Sequence, residues 1–349
     1  MRIDHPRVSV VVPVRNEQNS IRMCVERLFG QTYPADRFEV IAVDGQSDDG
    51  TRQIVERFVL DNKVTEPAPV VRLIDNPNGQ RASAMNIGIK EAAGDVIIRV
   101  DARTVIPANY VEKCVETLIR TGADNVGGVQ RPIVSKNAGR SKELKQKAIG
   151  LAQSHPFGVG DAQFRLGKKS GYVDTVYLGC FRKEIFDKVG LFDEDAPVIS
   201  EDADMNFRIR KAGGKVYLNK DIIAYYYPRD NFADLWKLYF RYGGAKAGNL
   251  LKHGVLRWRQ FVCPLFLVTL AALLALSLFD VIFLWAFLGV FGLYIGTDLL
   301  VSLSLALREH SILLFPRLLL AFPCMHFAWG LGFLKRLLTK PKRGTYWKY

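Results

Sequence analysis

The sequence predicts an α/β fold, a doubly wound and mainly parallel sheet with flanking helices, followed by apolar helices suited to a membrane. Three observations carry this prediction: four strand-and-helix units in succession, apolar strands that end in an acid or a polar turn, and a sharp rise in apolar content after Arg259. Alternation of this kind builds parallel sheets with right-handed crossovers.

Val8 to Val12 is a β-branched run, the pattern of an inner parallel strand. It breaks at Pro13-Val14-Arg15-Asn16-Glu17, and a helix follows with Ile21, Cys24, Val25 and Leu28 on its apolar face. The second unit is Phe38 to Val43, the loop Asp44-Gly45-Gln46-Ser47-Asp48-Asp49-Gly50-Thr51, and a helix bearing Ile54, Val55, Phe58 and Val59. Its glycines permit tight turns, and Asp48 or Asp49 suits a helix cap. A third strand, Val70 to Ile74, leads through Asp75 to Arg81 into a helix with Met85, Ile89 and Ala92. Gly94-Asp95 then opens the fourth strand, which ends Ile97-Ile98-Arg99-Val100-Asp101-Ala102-Arg103.

Asp44 and Asp101 thus stand at matching strand tips. Ligands of open parallel sheets bind outside the carboxyl ends of the strands, so the two acids point to one cleft. Each also suits the plainer work of starting a turn or capping a helix. No Gly-x-Gly-x-x-Gly or Walker sequence occurs, which favours neither a dinucleotide fold nor a P-loop enzyme.

The chain has 349 residues, room for a globular core and an appendage. Phe261 to Phe279 and Val281 to Thr297 are apolar runs broken by Asp280, each close to the roughly 20 residues that cross a bilayer as a helix. The net charge is +13. Its basic residues cluster beside the apolar runs: Lys237, Arg241, Lys246, Lys252, Arg257 and Arg259 before them, and Lys335, Arg336, Lys340, Lys342 and Arg343 after. That placement predicts contact with anionic membrane lipids and no nucleic-acid partner. Cys24, Cys114, Cys180, Cys263 and Cys324 are scattered, without metal-ligand spacing, as expected of reduced thiols in a cytosolic compartment. The first residues carry no apolar h-region, so no secretory signal is expected.

Pro13 to Glu17, the Asp44 to Thr51 block, Gly79 to Gly88, Gly94-Asp95 and Asp101-Ala102-Arg103 together resemble family 2 glycosyltransferases of the GT-A fold. The likeness continues through Gly179 to Arg182, Gly190 to Glu194 and Ser200-Glu201-Asp202-Ala203-Asp204, covering about residues 6–250. The Asp-Ala-Arg tip, Tyr225 to Arg229 and the apolar C-terminal region are most similar to the succinoglycan-type exopolysaccharide branch.

The resemblance implies a mixed, mainly parallel sheet and an inverting hexosyl transfer. A nucleotide-sugar donor, in this family commonly a UDP-sugar, would lie over the first four strand ends, held by Pro13, Val14, Arg15, Glu17, Asp44, Arg81, Asp101 and Arg103. The acceptor would be a lipid-linked saccharide. Asp202 would be the general base, a role worth about 100 to 10,000-fold in rate; Ser200 and the acids of this stretch equally suit the start of the helix bearing Met205, Phe207, Ile209 and Ala212. Glu201, Arg241 and Tyr242 would contact the acceptor, although Lys237, Arg241 and Tyr242 depart from the family's Gln-x-x-Arg-Trp motif and an amphipathic interfacial helix accounts for them as well.

The family's strand-four motif is usually Asp-x-Asp, its second acid holding a divalent cation, and here that position is Arg103. Either Asp101 alone holds Mg2+ or Mn2+, or Arg103 itself neutralises the diphosphate. The predicted organisation is residues 1–230 as the GT-A domain, 231–259 as an amphipathic interfacial region, 260–335 as transmembrane or membrane-embedded helices, and 336–349 as a basic cytosolic tail. A third apolar stretch, Ile312 to Leu334, contains Pro316, Arg317, Pro323 and His326 and is either an in-plane or re-entrant segment or a third span. The expected location is the inner membrane with the catalytic domain facing the cytosol. The rival readings are a membrane-tethered nucleotidyltransferase and a catalytically silent scaffold of the same fold.

Overall fold

A computed structural model describes residues 5–61, 69–135, 139–195, 201–254 and 257–339. Ser200, the residues before His5 and the tail from Lys340 lie outside the described residues, and with them the expected cap, N-terminus and basic tail. The chain divides into two compact units: Met1–Arg131 with Gln163–Tyr226, and Pro132–Ala162 with Tyr227–Tyr349.

In the first unit, β1 (Val8–Val14), α1 (Ile21–Phe29), β2 (Phe38–Asp44), α2 (Thr51–Asp61), β3 (Val70–Asp75), α3 (Arg81–Glu91), β4 (Val96–Arg99) and α4 (Tyr110–Thr121) follow in order. β5 (Asn125–Pro132) ends this stretch. The chain leaves the unit through α5 (Arg140–Ala152) and α6 (Pro156–Val159) and re-enters with α7 (Gln163–Leu166), β6 (Gly171–Tyr172), β7 (Tyr177–Arg182), α8 (Ile185–Val189), α9 (Glu201–Lys211) and β8 (Val216–Tyr226). Among the described residues the strands form one eight-stranded sheet in the order β3-β2-β1-β4-β7-β5-β8-β6. β1 pairs in parallel with β2 and β4, and β2 with β3, whereas β7 runs antiparallel to β4 and β5. The sheet is mixed and mainly parallel at its first four strands, as the resemblance implies.

Both faces of the sheet are covered, which is why the strands are apolar without alternation. Val8, Val10, Val12, Val40 and Ile98 pack with Ile21, Cys24, Val25, Leu28, Val111 and Leu118 on one side. Val11, Ile41, Val43 and Ile97 pack with Met85, Ile89, Met205 and Ile209 on the other. Close approach of α3 to β1 depends on Gly88, because a Cβ there would strike the Val11 side chain. The buried Ser9 hydroxyl ties three segments: it donates to Glu39 at 2.7 Å and accepts the Gly94 amide at 2.9 Å.

The second unit contains α10 (Phe232–His253), α11 (Val262–Leu276), α12 (Val281–Arg308) and α13 (Phe315–Leu338). Segment 132–162, which the sequence reading leaves inside the first domain, belongs here. Ala148, Ile149 and Ala152 of α5 pack with Leu235, Leu318, Phe322 and Met325 in one apolar core. α10 and α13 approach through small residues: a Cβ at Gly243 would meet the Trp329 carbonyl, and one at Gly332 the Phe240 carbonyl.

The apolar helices differ from the two membrane-length runs expected at Phe261 to Phe279 and Val281 to Thr297. Among the described residues the helices long and apolar enough to cross a membrane are Val281–Arg308 and Ile312–Leu338. α11, at 15 residues, extends about 22 Å, short of a hydrocarbon core of about 30 Å. α12 runs on past Thr297 because Asp298, Ser302, Leu305 and Ala306 repeat at helical spacing and are buried. α13 continues through Pro323, whose missing N–H costs one helical bond without breaking the run. Ile282, Trp285, Leu293, Leu300 and Leu307 of α12 are exposed and give the helix an outward apolar surface.

Candidate active site

The carboxyl ends of β1 to β4, the start of α3 and the first turn of α9 carry the predicted site residues other than Arg241 and Tyr242. At the tip of β2, Asp44 is buried, and its carboxylate accepts the Ser47 hydroxyl at 2.5 Å and lies 3.7 Å from the Arg52 guanidinium. Arg52 also donates to Asp75 at the tip of β3. These bonds brace the β2–α2 loop, and the same loop is laced to its neighbour after β1. Asn16 donates its amide to Ser47 Oγ at 3.0 Å, and the Glu17 amide donates to Thr51 Oγ1 at 2.7 Å. Asn16 and Gln46 sit at φ of 53° and 61°, a left-handed conformation that non-glycine residues keep only when their surroundings enforce it.

Pro13 and Val14 lie within β1 rather than in a loop, paired with Val43 and Asp44, and Val14 is buried. Arg15 donates to the Gly79 carbonyl at 3.3 Å. Gly45, Gly79 and Arg15 are stacked closely enough that Gly79, at φ of 64°, would place a Cβ 2.6 Å from the guanidinium. The tips of β1, β2 and β3 therefore converge.

The densest charge lies at β4. Asp101, whose side chain is 24% exposed, accepts from Arg99 Nε at 2.8 Å and from Nη2 at 3.2 Å. Arg99 is itself buried and reaches Glu201 at 3.1 Å, while Arg81 reaches the same Glu201 oxygen at 3.6 Å. Among the described residues the second oxygen of Glu201, Oε2, has no hydrogen-bond partner. Asp202 follows directly and accepts the Ala203 amide at 2.7 Å. Glu201, which sequence reading assigns to the acceptor, is almost without exposure and faces Arg99 and Arg81.

The charges set each other's proton affinities. Burial raises the Asp101 pKa, but Arg99 and then Arg81 outweigh it and hold the carboxyl below its ordinary range. For Glu201 burial prevails over the same two arginines and raises the pKa. Burial would lower the Arg99 pKa, yet Asp101, Glu201 and Asp202 together hold the guanidinium firmly charged.

On the outer side of this cluster Arg103 donates Nε to both oxygens of Glu17 at 2.7 Å, and Ser20 Oγ donates to Glu17 at 2.6 Å. α9 is fastened from behind: Arg208 pairs with the buried Asp204 at 2.9 Å and donates to the carbonyls of Val189 and Leu191. Asn86 of α3 holds the same loop by bonds of 2.8 Å to both the carbonyl and the amide of Phe192. Arg81, Asp101, Glu201 and Asp202 are thus brought together, with Glu17 and Arg103 at one edge. Arg241 and Tyr242 lie on α10 in the second unit, where the Tyr242 ring meets Tyr239 edge-on.

Arg99 and Arg52 are charged residues of the candidate site that sequence reading missed. Arg99 left a signal: it is a lone charge in an apolar strand, two residues before Asp101, and strand residues two apart share a face.

The profile described as "Glycosyl transferase family 2" matches residues 9–190. The succinoglycan biosynthesis protein ExoA of Rhizobium meliloti (strain 1021) is 32% identical over 336 residues, 96% of each chain. The dolichyl N-acetyl-alpha-D-glucosaminyl phosphate 3-beta-D-2,3-diacetamido-2,3-dideoxy-beta-D-glucuronosyltransferase of Methanococcus voltae is 26% identical, covering 95% of this chain and 97% of that one. Among solved structures, the mannosyltransferase PcManGT from Pyrobaculum calidifontis, in complex with GDP-Man and Mn2+, aligns with a TM-score of 0.59 and 20% identity over 93% of this chain and 88% of its own. At that identity the likeness speaks to the fold alone. With its mixed sheet, its strand-tip acids and these relatives, the chain belongs to glycosyl transferase family 2 and is a glycosyltransferase.

Proposed function

We propose that the chain is a membrane-anchored inverting glycosyltransferase that moves a sugar from a nucleotide-sugar, of the UDP-sugar type, to a hydroxyl of a lipid-linked saccharide in exopolysaccharide or cell-envelope glycan synthesis. The observation that carries this reading is the union of Asp101 from β4 and Glu201-Asp202 from α9 around the buried Arg99. It supports a base at Asp202 working beside strand tips that would bind the donor. The succinoglycan and dolichyl-linked relatives support an acceptor carried on lipid.

Asp202 takes the proton of the acceptor hydroxyl. The hydroxyl oxygen forms a bond to the anomeric carbon as the bond from that carbon to the diphosphate oxygen breaks, and the nucleoside diphosphate leaves from the opposite face. One displacement inverts the anomeric configuration. Arg99 holds Asp101 and Glu201 in register, so the strand tip and the base helix keep their spacing through the step. Braced by Ser47 and Arg52, Asp44 keeps carboxylate lone pairs suited to a ribose hydroxyl or a base N–H.

The donor set does not fit the expected divalent cation on Asp101. Both oxygens of Asp101 already accept from Arg99, and the position of the family's second acid carries a guanidinium. No step here runs through a metal ion.

The apolar helices anchor the enzyme at the inner membrane, with anionic lipids drawing the basic residues that border them and the first unit facing cytosolic nucleotide-sugar. The test is incubation of the full-length protein with a lipid-linked saccharide and a panel of nucleotide-sugars, with mass analysis of the lipid product. One added sugar with release of nucleoside diphosphate supports the reading. Release of pyrophosphate from a nucleoside triphosphate marks the nucleotidyltransferase instead, and no product across the panel marks a silent scaffold.

A further inference from the structure

We infer that the charge of the donor's diphosphate is met by Arg103, held in place by Glu17, and not by a divalent cation; the inference rests on the nucleotide-sugar reading above. The strand tip reads Arg99-Val100-Asp101-Ala102-Arg103, an acid between two arginines. A hard cation needs carboxylate lone pairs turned toward it and tolerates no cationic neighbour in its first shell of ligands. Asp101 offers its two oxygens to Arg99. Arg99 cannot swing aside, because it is buried and also reaches Glu201 at 3.1 Å, so its departure would strand two acids out of water.

Arg103 has the opposite character. Its side chain is 62% exposed, yet it is fixed. Nε donates to both Glu17 oxygens at 2.7 Å. Glu17 is in turn gripped by Ser20 Oγ at 2.6 Å and by its own amide on Thr51 Oγ1 at 2.7 Å. Among the described residues the two Nη amino groups of Arg103 take no partner, so a planar two-pronged donor stands ready beyond the carboxyl end of β4. A solvated surface arginine gains little from one exposed carboxylate and keeps its freedom. One pinned at Nε has lost that freedom before the ligand arrives, which favours a bidentate bond to phosphate oxygens. Glu17 acts through Arg103 and is a positioning residue; Arg103 is the group that touches the leaving diphosphate.

The test is titration calorimetry of the full-length protein with UDP and with GDP, in EDTA and in Mn2+, beside the transfer assay. The tighter nucleotide should bind equally in both buffers. Arg103→Ala should weaken it by about tenfold or more, the loss of one charge-assisted bond, and Arg103→Lys should recover only part because it lacks the fork. Glu17→Gln should give a smaller loss that vanishes when combined with Arg103→Ala. Arg103→Asp, which restores the family's paired acids, should make binding depend on Mn2+. Binding that EDTA abolishes and Mn2+ restores, with Arg103→Ala unchanged, overturns the inference and leaves the transferase reading standing. No binding of either nucleotide or of their sugars in both buffers overturns the two together.

Discussion

Arg99 holds Asp101 by a two-point fork, Nε to Oδ1 at 2.8 Å and Nη2 to Oδ2 at 3.2 Å, and with its remaining amino group reaches Glu201 at 3.1 Å. One buried cation therefore joins the end of β4 to the first turn of α9. Asp101 and Glu201, 100 positions apart in the chain, thus share a single guanidinium.

Arg99→Met removes that cation and leaves Glu201 buried beside Arg81 alone. Breaking a buried pair from one side costs about 3 to 5 kcal/mol. Urea denaturation of the variant should show that loss, and Arg99→Lys should recover only part of it because an ammonium cannot make the fork.

Asp202→Asn keeps the shape of the first turn of α9 and removes the proton acceptor. The rate of transfer should fall about 100 to 10,000-fold while donor binding is kept. Steady-state kinetics with binding measured separately decides it; a variant as fast as the parent removes Asp202 as the base.

The two carboxylates beside Arg99 bring opposite pH slopes. The Asp101 pKa is lowered in the fold, so its contribution is present above the ordinary carboxylate range and lost as pH falls through the depressed value. The Glu201 pKa is raised, so stability falls as pH rises from the ordinary range through the raised value. Unfolding free energy followed across acidic pH should lose the second slope in Glu201→Gln and keep the first.

Burial, reinforced by the negative charges of Asp101 and Glu17, pushes the Cys24 thiol up to about 12. It stays protonated near pH 8 and should resist iodoacetamide in the folded protein, then react once urea exposes it. Mass spectrometry of the alkylated peptide reads this directly.

Ser9→Ala removes the hydroxyl that serves Glu39 and the Gly94 amide together. Two buried groups lose a partner, at about 1 to 3 kcal/mol each, so a marked fall in thermal midpoint is expected without loss of the residues at the strand tips.

The first four strands are legible in the sequence because they are buried on both faces and so read as unbroken apolar runs. β5 is not, since Gly127 and Gly128 interrupt it; their lack of a side chain reflects the close approach of Val176 and Ile222, a tertiary fact. The continuation of α12 past Asp298 was hidden for the same reason, because an acid in an apolar run reads as an end until burial beside Ser302 shows otherwise. Asp101 and Asp202 could be named from their motifs, whereas the pairing of Glu201 with Arg99 needed both elements to be placed. α5 carries no motif, and only packing reveals that Ala148 and Ile149 belong with Leu318 and Phe322.

That last association has a consequence for how the protein is made. The stretch 132–162 leaves the ribosome well before α10 to α13, so its apolar face must wait uncovered while the remainder of the sugar-transferring half is translated. A cut before Phe232 would release a fragment whose α5 has lost its companions for good. Soluble versions obtained by trimming the C-terminal helices should therefore clump unless the interior stretch is excised as well.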